Sequence, residues 1–331
     1  MNPPSSLPKV SVRLTTYNQE RYIAQAIEGV LAQQTGFDYE LVIGEDCSTD
    51  NTRAIVLDYA RKYPERIRVL ESPRNLGMRA NGMRTLQACR GEYIALLEGD
   101  DYWTCPHKLE EQVAWMDRNP SGSFCAHSVQ CYEENSGRFL PFPGEEEIPS
   151  ELGVDDFIRR NPIPTASVLL RRRHIPSFPS WFLELKMGDW PLYLLLARQG
   201  RCRFFPERWA VYRLHDQGVW TGASETDRLQ ASIEMLERMS EYLDSKYRRA
   251  FLHSISQWQY QLALIREKEA DLSGARRQTL CAFESAIRGG IWPPRRYLGT
   301  LMRVTVPKAW QLCCTYRQWH KKGGSSPRHG S

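Results

Sequence analysis

Apolar positions in the first hundred residues switch regularly between two spacings. Residues 10–14 alternate apolar and polar positions, which reads as a strand, and end at Thr15-Thr16-Tyr17-Asn18. Residues 21–34 then carry Ile23, Ile27, Val30 and Leu31 on one helical face. Residues 41–44 predict a second strand, ending at Glu45-Asp46-Cys47-Ser48-Thr49-Asp50. The next helix passes through Ile55, Val56 and Tyr59, with Asp50 or Thr49 placed to cap it. A strand over 67–70, a helix over 78–89 and a strand over 93–97 complete the series. Strand–helix alternation at this spacing predicts right-handed βαβ units and a parallel sheet.

Beyond residue 100 the spacing is less regular. Thr104 and Pro106 open a helix to about 119, with Leu109, Val113 and Met116 inward. A strand over 123–132 precedes a polar, Pro/Gly-marked loop over 133–149. A short helix over 155–160, a strand over 166–170 and a helix over 190–199 follow, then strands near 202–205 and 209–214. From residue 225 the pattern is helical: 226–247, 250–269, 272–288, 297–302 and 308–320. A first domain over 8–222 and a C-terminal helical region over 223–331 are therefore expected.

The fourth strand ends on Glu98, Asp100 and Asp101, with Gly99 among them. Parallel strands of open α/β sheets deliver ligand-binding residues at their carboxyl ends. Clustered acids there repel one another unless they share a cation. A hard divalent ion with oxygen ligands, itself holding phosphates, suits them. Gly99 keeps the turn tight and admits a diphosphate near the backbone. An exposed turn after a strand is the plainer reading, but it does not require the flanking Tyr102-Trp103.

Gly91-Glu92-Tyr93-Ile94 followed by Glu98-Gly99-Asp100 resembles inverting glycosyltransferases of family 2, of the bacterial cell-surface polysaccharide type. The resemblance implies the GT-A fold, an α/β fold with a Rossmann-like, mostly parallel central sheet flanked by helices. In that family the metal triplet is usually Asp-x-Asp; here its first acid is Glu98. Thr16, Tyr17, Asn18 and Glu20 resemble the family's nucleoside element at the first strand's end. Asp46 matches the acid that accepts a hydrogen bond from the base, although Glu45 and Cys47 depart from the family's Asp-Asp-Gly-Ser-Thr-Asp. Asn75-Leu76-Gly77 with Asn81 resembles a further donor segment, in which Arg79 would reach a phosphate oxygen or stand as a solvated helix residue. Gly188-Asp189-Trp190 stands where the family places its general base, Asp189; a helix cap is the plainer role. Tyr212-Arg213-Leu214-His215 resembles the closing element. There Arg213 would pair with the diphosphate, and His215 would join Glu98 and Asp100 on the metal. Asp101, Tyr102, Trp103 and Trp190 would shape the acceptor side. The resemblance covers residues 8–222, and residues 223–331 match nothing in it.

Composition narrows the classes. The chain has 331 residues, 41% hydrophobic and 25% charged, as in an ordinary soluble protein. No apolar run is long enough to cross a bilayer, and residues 1–9 lack the apolar centre of a signal peptide. Nine cysteines without framework spacing suit a reducing compartment, and no His/Cys cluster argues for zinc. No GxGxxG follows the first strand, which speaks against a dinucleotide cofactor. Glu284 is the last acid; residues 285–331 hold nine Lys or Arg interleaved with Trp292, Tyr297, Trp310, Tyr316 and Trp319. That tail predicts attachment to an anionic membrane surface. It carries no nucleic-acid motif, so no nucleic-acid partner is expected.

The expected function is transfer of a sugar, with inversion, from a UDP-, GDP- or dTDP-sugar to a hydroxyl of a glycan or lipid-linked acceptor. Mg²⁺ or Mn²⁺ would assist, in the cytoplasm or on the inner face of the cytoplasmic membrane. The alternative is a non-catalytic sugar-nucleotide-binding protein of the same fold.

Overall fold

The computed structural model describes residues 7–306, apart from 143, 145, 146 and 219. It divides into two compact units, up to residue 222 and from residue 223. The first unit begins β1 (Val10–Thr16), α1 (Ile23–Leu31), β2 (Tyr39–Glu45), α2 (Thr52–Lys62), β3 (Ile67–Leu70), α3 (Met78–Ala88) and β4 (Tyr93–Glu98). It continues with β5 (Tyr102–Trp103), α4 (Lys108–Arg118), β6 (Phe124–Glu133), β7 (Arg138–Phe142), β8 (Glu151–Leu152), α5 (Val154–Arg159), β9 (Leu169–Arg171), α6 (Asp189–Ala197) and β10 (Cys202–Leu214). The sheet runs β3-β2-β1-β4-β9-β6-β10-β5, with β7 beside β6 and β8 beside β10. Strands β3, β2, β1 and β4 are parallel, β9 is antiparallel to both neighbours, and β10 runs parallel to β6. This is a mixed α/β sheet whose first half is the parallel one that the strand–helix alternation predicts.

Register explains where the site forms. On β1, Thr15 lies opposite Gly44 of β2 and Glu98 of β4. The three central strands therefore stop at one edge, and Tyr17, Asp46 and Asp100 leave the sheet side by side. Val10, Val12 and Leu14 are buried on the face that meets Ile23, Ile27 and Val30 of α1. The other face of β1 carries Ser11, Arg13 and Thr15.

Several elements escape the sequence pattern. The polar loop contains β7, an exposed strand pairing with β6 and carrying Pro141, as edge strands tolerate. The two strands expected near 202–205 and 209–214 are one, β10, with register shifts after Phe205 and after Arg208. The strand expected over 166–170 is a 3₁₀ turn, Thr165–Ser167, followed by β9.

The second unit comprises α7 (Glu225–Tyr242), α8 (Arg248–Lys268), α9 (Leu272–Arg288) and α10 (Arg295–Thr305). Ser224 caps α7 through the amide of Asp227, and Asp271 caps α9 through that of Gly274. Tyr260 and Tyr297 stack at 4.3 Å, and their hydroxyls bond Thr300 and Ser256. Tyr297, expected on a membrane-facing surface, is thus a core residue. The helix expected over 308–320, with Trp310, Tyr316 and Trp319, lies outside the described residues. No described helix is long and apolar enough to cross a membrane, and the seven described cysteines are unpaired.

A lysine sits in the core. Lys108 is fully buried, bonds Gln112 at 2.7 Å and lies 4.1 Å from the centre of the Trp103 ring. Burial pulls its ammonium down to about 7. Between that value and the unfolded lysine's, the unfolded chain binds more protons, so stability rises with pH across this window. Relative to Lys108→Met, the wild type should gain on the order of 2 kcal/mol between pH 7 and 9. Parallel urea melts measure this; identical slopes for both proteins would contradict a neutral buried lysine.

Candidate functional site

The acid turn follows from how β4 ends. Glu98 is the last residue of β4, and the Gly99 amide donates to Thr15 O at 2.9 Å, seating the turn on β1. A Cβ on Gly99 would stand 2.5 Å from Gln19 Oε1 and 2.8 Å from Thr16 Oγ1. The missing side chain thus admits β1 rather than a diphosphate. Thr16 itself donates to Gln19 at 2.8 Å.

Carboxylate oxygens of Glu98, Asp100 and Asp101 lie within 4.8 Å of one another. Burial pushes Glu98 up to about 7, and neighbouring Asp100 adds to the shift. Asp101 is raised well above the usual carboxylate range by burial, then by Asp100 and Glu98. Its Oδ1 accepts from the Arg213 amide at 2.9 Å, while its buried Oδ2 has no partner among the described residues. An unpartnered buried oxygen among crowded acids fits a hard divalent cation. Asp101, expected on the acceptor side, thus joins the acid group. His215 Nε2 lies 3.2 Å from Asp100 Oδ2, and that hydrogen bond raises the imidazole.

Arg213 is committed elsewhere than expected. Its guanidinium donates to Asp100 O and to Gln25, and lies between the rings of Tyr22 and Tyr102 at 4.9 and 4.6 Å. It braces the acid turn from β10, which corrects the expectation that it faces the diphosphate. Tyr102 is therefore covered on one face by a cation.

The nucleoside-side residues mostly stitch loops together. Asn18, at φ 51°, accepts from the Thr49 amide at 2.8 Å. Glu20 Oε2 accepts from both the amide and the side chain of Asn51, each at 2.9 Å. Asp46 takes the Leu76 and Gly77 amides, one on each oxygen at 2.9 Å. It holds the 75–77 segment and keeps lone pairs in reserve. Asn81 is buried and spent on Gly44 O and Arg84, so it cannot touch a donor. Tyr17 remains exposed.

Asp189 stands in the first turn of α6. Gly188 is the N-cap and no side chain caps the helix, so the plain capping role is not what Asp189 performs. Its Oδ2 accepts from Asn161 at 2.9 Å. Asp189 and Glu98 both act electrostatically on Arg79, and Asp189 also acts on Glu98, so the three groups lie near one another. Arg79 donates to Lys186 O at 2.7 Å, and its guanidinium fills the room over Gly188. Trp103 and Trp190 are each 3% exposed, and their indole N–H groups bond Ala166 O and Phe157 O. Neither offers a face to a sugar, which corrects their acceptor-side assignment.

Arg13 escaped the sequence reading. It lies on central β1, acts to lower Glu98, and has a buried Nε without a partner. A charge within the alternating Val10–Leu14 strand was the available signal. Gln25 and Asn161 offered none.

An open α/β sheet with paired acidic strand ends and an opposing carboxylate defines a GT-A glycosyltransferase architecture. Solved structures share that fold. Staphylococcus aureus TarS, in complex with UDP-GlcNAc, aligns with a TM-score of 0.61 at 18% identity over 95% of this chain and 92% of its own. The mannosyltransferase PcManGT of Pyrobaculum calidifontis, with GDP-Man and Mn²⁺, gives 0.58 at 15% identity over 95% and 85%. Residues 11–174 match the profile of Glycosyl transferase family 2, and the chain belongs to that family. An uncharacterized protein of Mycobacterium tuberculosis is 41% identical over 219 residues, 66% of this chain and 62% of the relative. The match thus spans under two thirds of that relative's length. The succinoglycan biosynthesis protein ExoO of Rhizobium meliloti is 30% identical over 66% of this chain and 65% of its own. A Bacillus subtilis glycosyltransferase named for teichuronic acid biosynthesis is 29% identical over 70% and 91%.

Because Gly99 is required by β1, Gly99→Ala should cost about 1–3 kcal/mol and weaken Mn²⁺ binding. Urea melts and calorimetric Mn²⁺ titration measure both. A variant with wild-type values would show that Thr16 and Gln19 yield freely.

Proposed function

We propose that this chain transfers a sugar from a nucleoside-diphosphate donor to a hydroxyl of a glycan or lipid-linked acceptor in cell-surface polysaccharide synthesis, inverting the anomeric carbon. The observation that carries this reading is the convergence of Glu98, Asp100 and Asp101 around an unpartnered buried oxygen, with Asp189 near enough to act on Glu98. Family membership and the names of the polysaccharide relatives support it.

Tyr17 and Asp46 receive the nucleoside, at adjoining strand ends. Glu98, Asp100 and Asp101 would hold Mg²⁺ or Mn²⁺, with His215 beside Asp100. The bound ion would offset charge developing on the departing diphosphate. Arg213, with Gln25, fixes the backbone of the acid turn. Asp189 takes the acceptor's proton while the hydroxyl oxygen bonds the anomeric carbon and the nucleoside diphosphate leaves with the bonding pair. Arg79, on which both Asp189 and Glu98 act, would meet donor phosphate or sugar oxygens.

A thermal-shift panel of UDP-, GDP- and dTDP-sugars with Mn²⁺ identifies the donor. One class should raise the melting temperature, and only with the metal. No shift with any of them would reject the reading. With that donor, Asp189→Asn should keep donor and metal affinity yet lose about 10²-fold or more in turnover. Near-normal turnover would place the base elsewhere.

A membrane attachment accompanies this reading. Described residues 285–306 carry Arg288, Arg295, Arg296 and Arg303 and no acid. Trp292 is 87% and Ile287 63% exposed among them. Arginines and an exposed Trp suit the anionic cytoplasmic face of a membrane, where a lipid-linked acceptor would wait. Sedimentation with phosphatidylglycerol vesicles should recover the wild type and lose most of a Trp292→Asp, Arg295→Glu variant. Equal recovery would reject this surface.

A further inference from the structure

Asp189 is held from one side only. Asn161 lies between α5 and the Thr165–Ser167 turn, followed directly by Pro162 and, three residues on, by Pro164. Its amide orientation is set by chemistry. The Ile163 amide points at one end of it at 3.2 Å, and an N–H can bond only an oxygen. That end is therefore Oδ1, which leaves Nδ2 as the atom 2.9 Å from Asp189 Oδ2. Asp189 Oδ1 takes no hydrogen bond from the described residues.

Both neighbours of this contact are clamped. Trp190, next to Asp189, donates its indole N–H to Phe157 O of α5 at 2.6 Å. Trp103, just past the acid turn, donates to Ala166 O at 2.9 Å, and Gln112 donates to Ser167 O at 2.8 Å. The segment carrying Asn161 is thus tied to α6 on one side and to the acid turn's strand on the other. The two tryptophans that resemblance assigned to the acceptor hold the scaffold of the carboxylate instead.

We propose that Asn161 is the positioning residue of the acceptor-activating carboxylate: its Nδ2–H holds Asp189 Oδ2 and turns Oδ1 toward the acceptor hydroxyl. This rests on the reading of Asp189 as general base. A neutral amide is the suitable holder. It fixes the carboxylate's rotation without the full charge that would drain its basicity, as a cation would. The charged and titratable groups that otherwise face Asp189 are Glu98 of β4, Arg79 of α3, Tyr193 of α6 and Tyr212 of β10.

Two variants test it, assayed with the donor that the thermal-shift panel selects, by release of nucleoside diphosphate. Asn161→Asp keeps an oxygen for the Ile163 amide, so the loop survives, but sets a second carboxyl against Asp189. The acid limb of its pH–rate profile should move up by about one unit or more, since paired carboxylates resist ionising together. Asn161→Ala should lower kcat about 10-fold or more, because the carboxylate loses its orientation, with the donor Kd unchanged within about twofold. Melting temperatures near wild type in Asn161→Asp exclude unfolding as the cause. An unmoved acid limb in Asn161→Asp overturns the proposal, as does wild-type kcat in Asn161→Ala. Asp189→Asn separates the two readings. If it is inactive while both Asn161 variants behave as wild type, only the role of Asn161 fails; if it is active, the base assignment itself fails.

Discussion

Three carboxyl groups crowded at the end of one buried strand are the constraint around which the first unit is arranged. Left alone they repel, and burial already pushes Glu98 and Asp101 toward the protonated form. The fold holds them together regardless. Gly99 seats the turn against Thr16 and Gln19, the Arg213 amide fixes Asp101, and the Arg213 side chain braces the Asp100 carbonyl. That effort stabilises an arrangement that is unfavourable without a cation and useful with one, as preorganised sites generally are.

The arrangement depends on register. Because Thr15 faces both Gly44 and Glu98, a one-residue slip of β4 would turn Glu98 toward the opposite face of the sheet. Strand β10 reaches the same edge from the mixed half. Its two irregularities after Phe205 and Arg208 let a 13-residue strand follow β6 and still deliver Arg213 and His215 to the acid turn. The parallel half supplies the acids and the mixed half supplies what holds them. Asp189 arrives separately, on a helix buried nearly all round.

The parallel strands and their helices were legible because β4 is almost continuously apolar, β1 alternates apolar and polar positions, and the strands are bounded by turn residues. The acid turn was legible for the same reason, as a polar break at the end of a buried run. Strands β5 and β8 are two residues each, and their pairing with β10 is a tertiary fact that no local period records. A motif also gives a residue's place in the chain but not the direction of its side chain. Asn81, Trp103 and Trp190 stand near the cleft in sequence, yet each is buried with its polar atoms spent on the scaffold. Asn161 was invisible because its partner is 28 residues away and the contact exists only once α5 and α6 are packed.

The central claim is that the acid turn is a divalent-cation site completed by a nucleoside diphosphate. Electron paramagnetic resonance of Mn²⁺ reads it directly, since bound ion leaves the free-ion signal. The account predicts that the protein with UDP or GDP removes one equivalent of Mn²⁺ from that signal beyond what the nucleotide alone removes, and that Asp100→Asn, still folded, does not. Equal uptake of Mn²⁺ by the wild type and Asp100→Asn would contradict it.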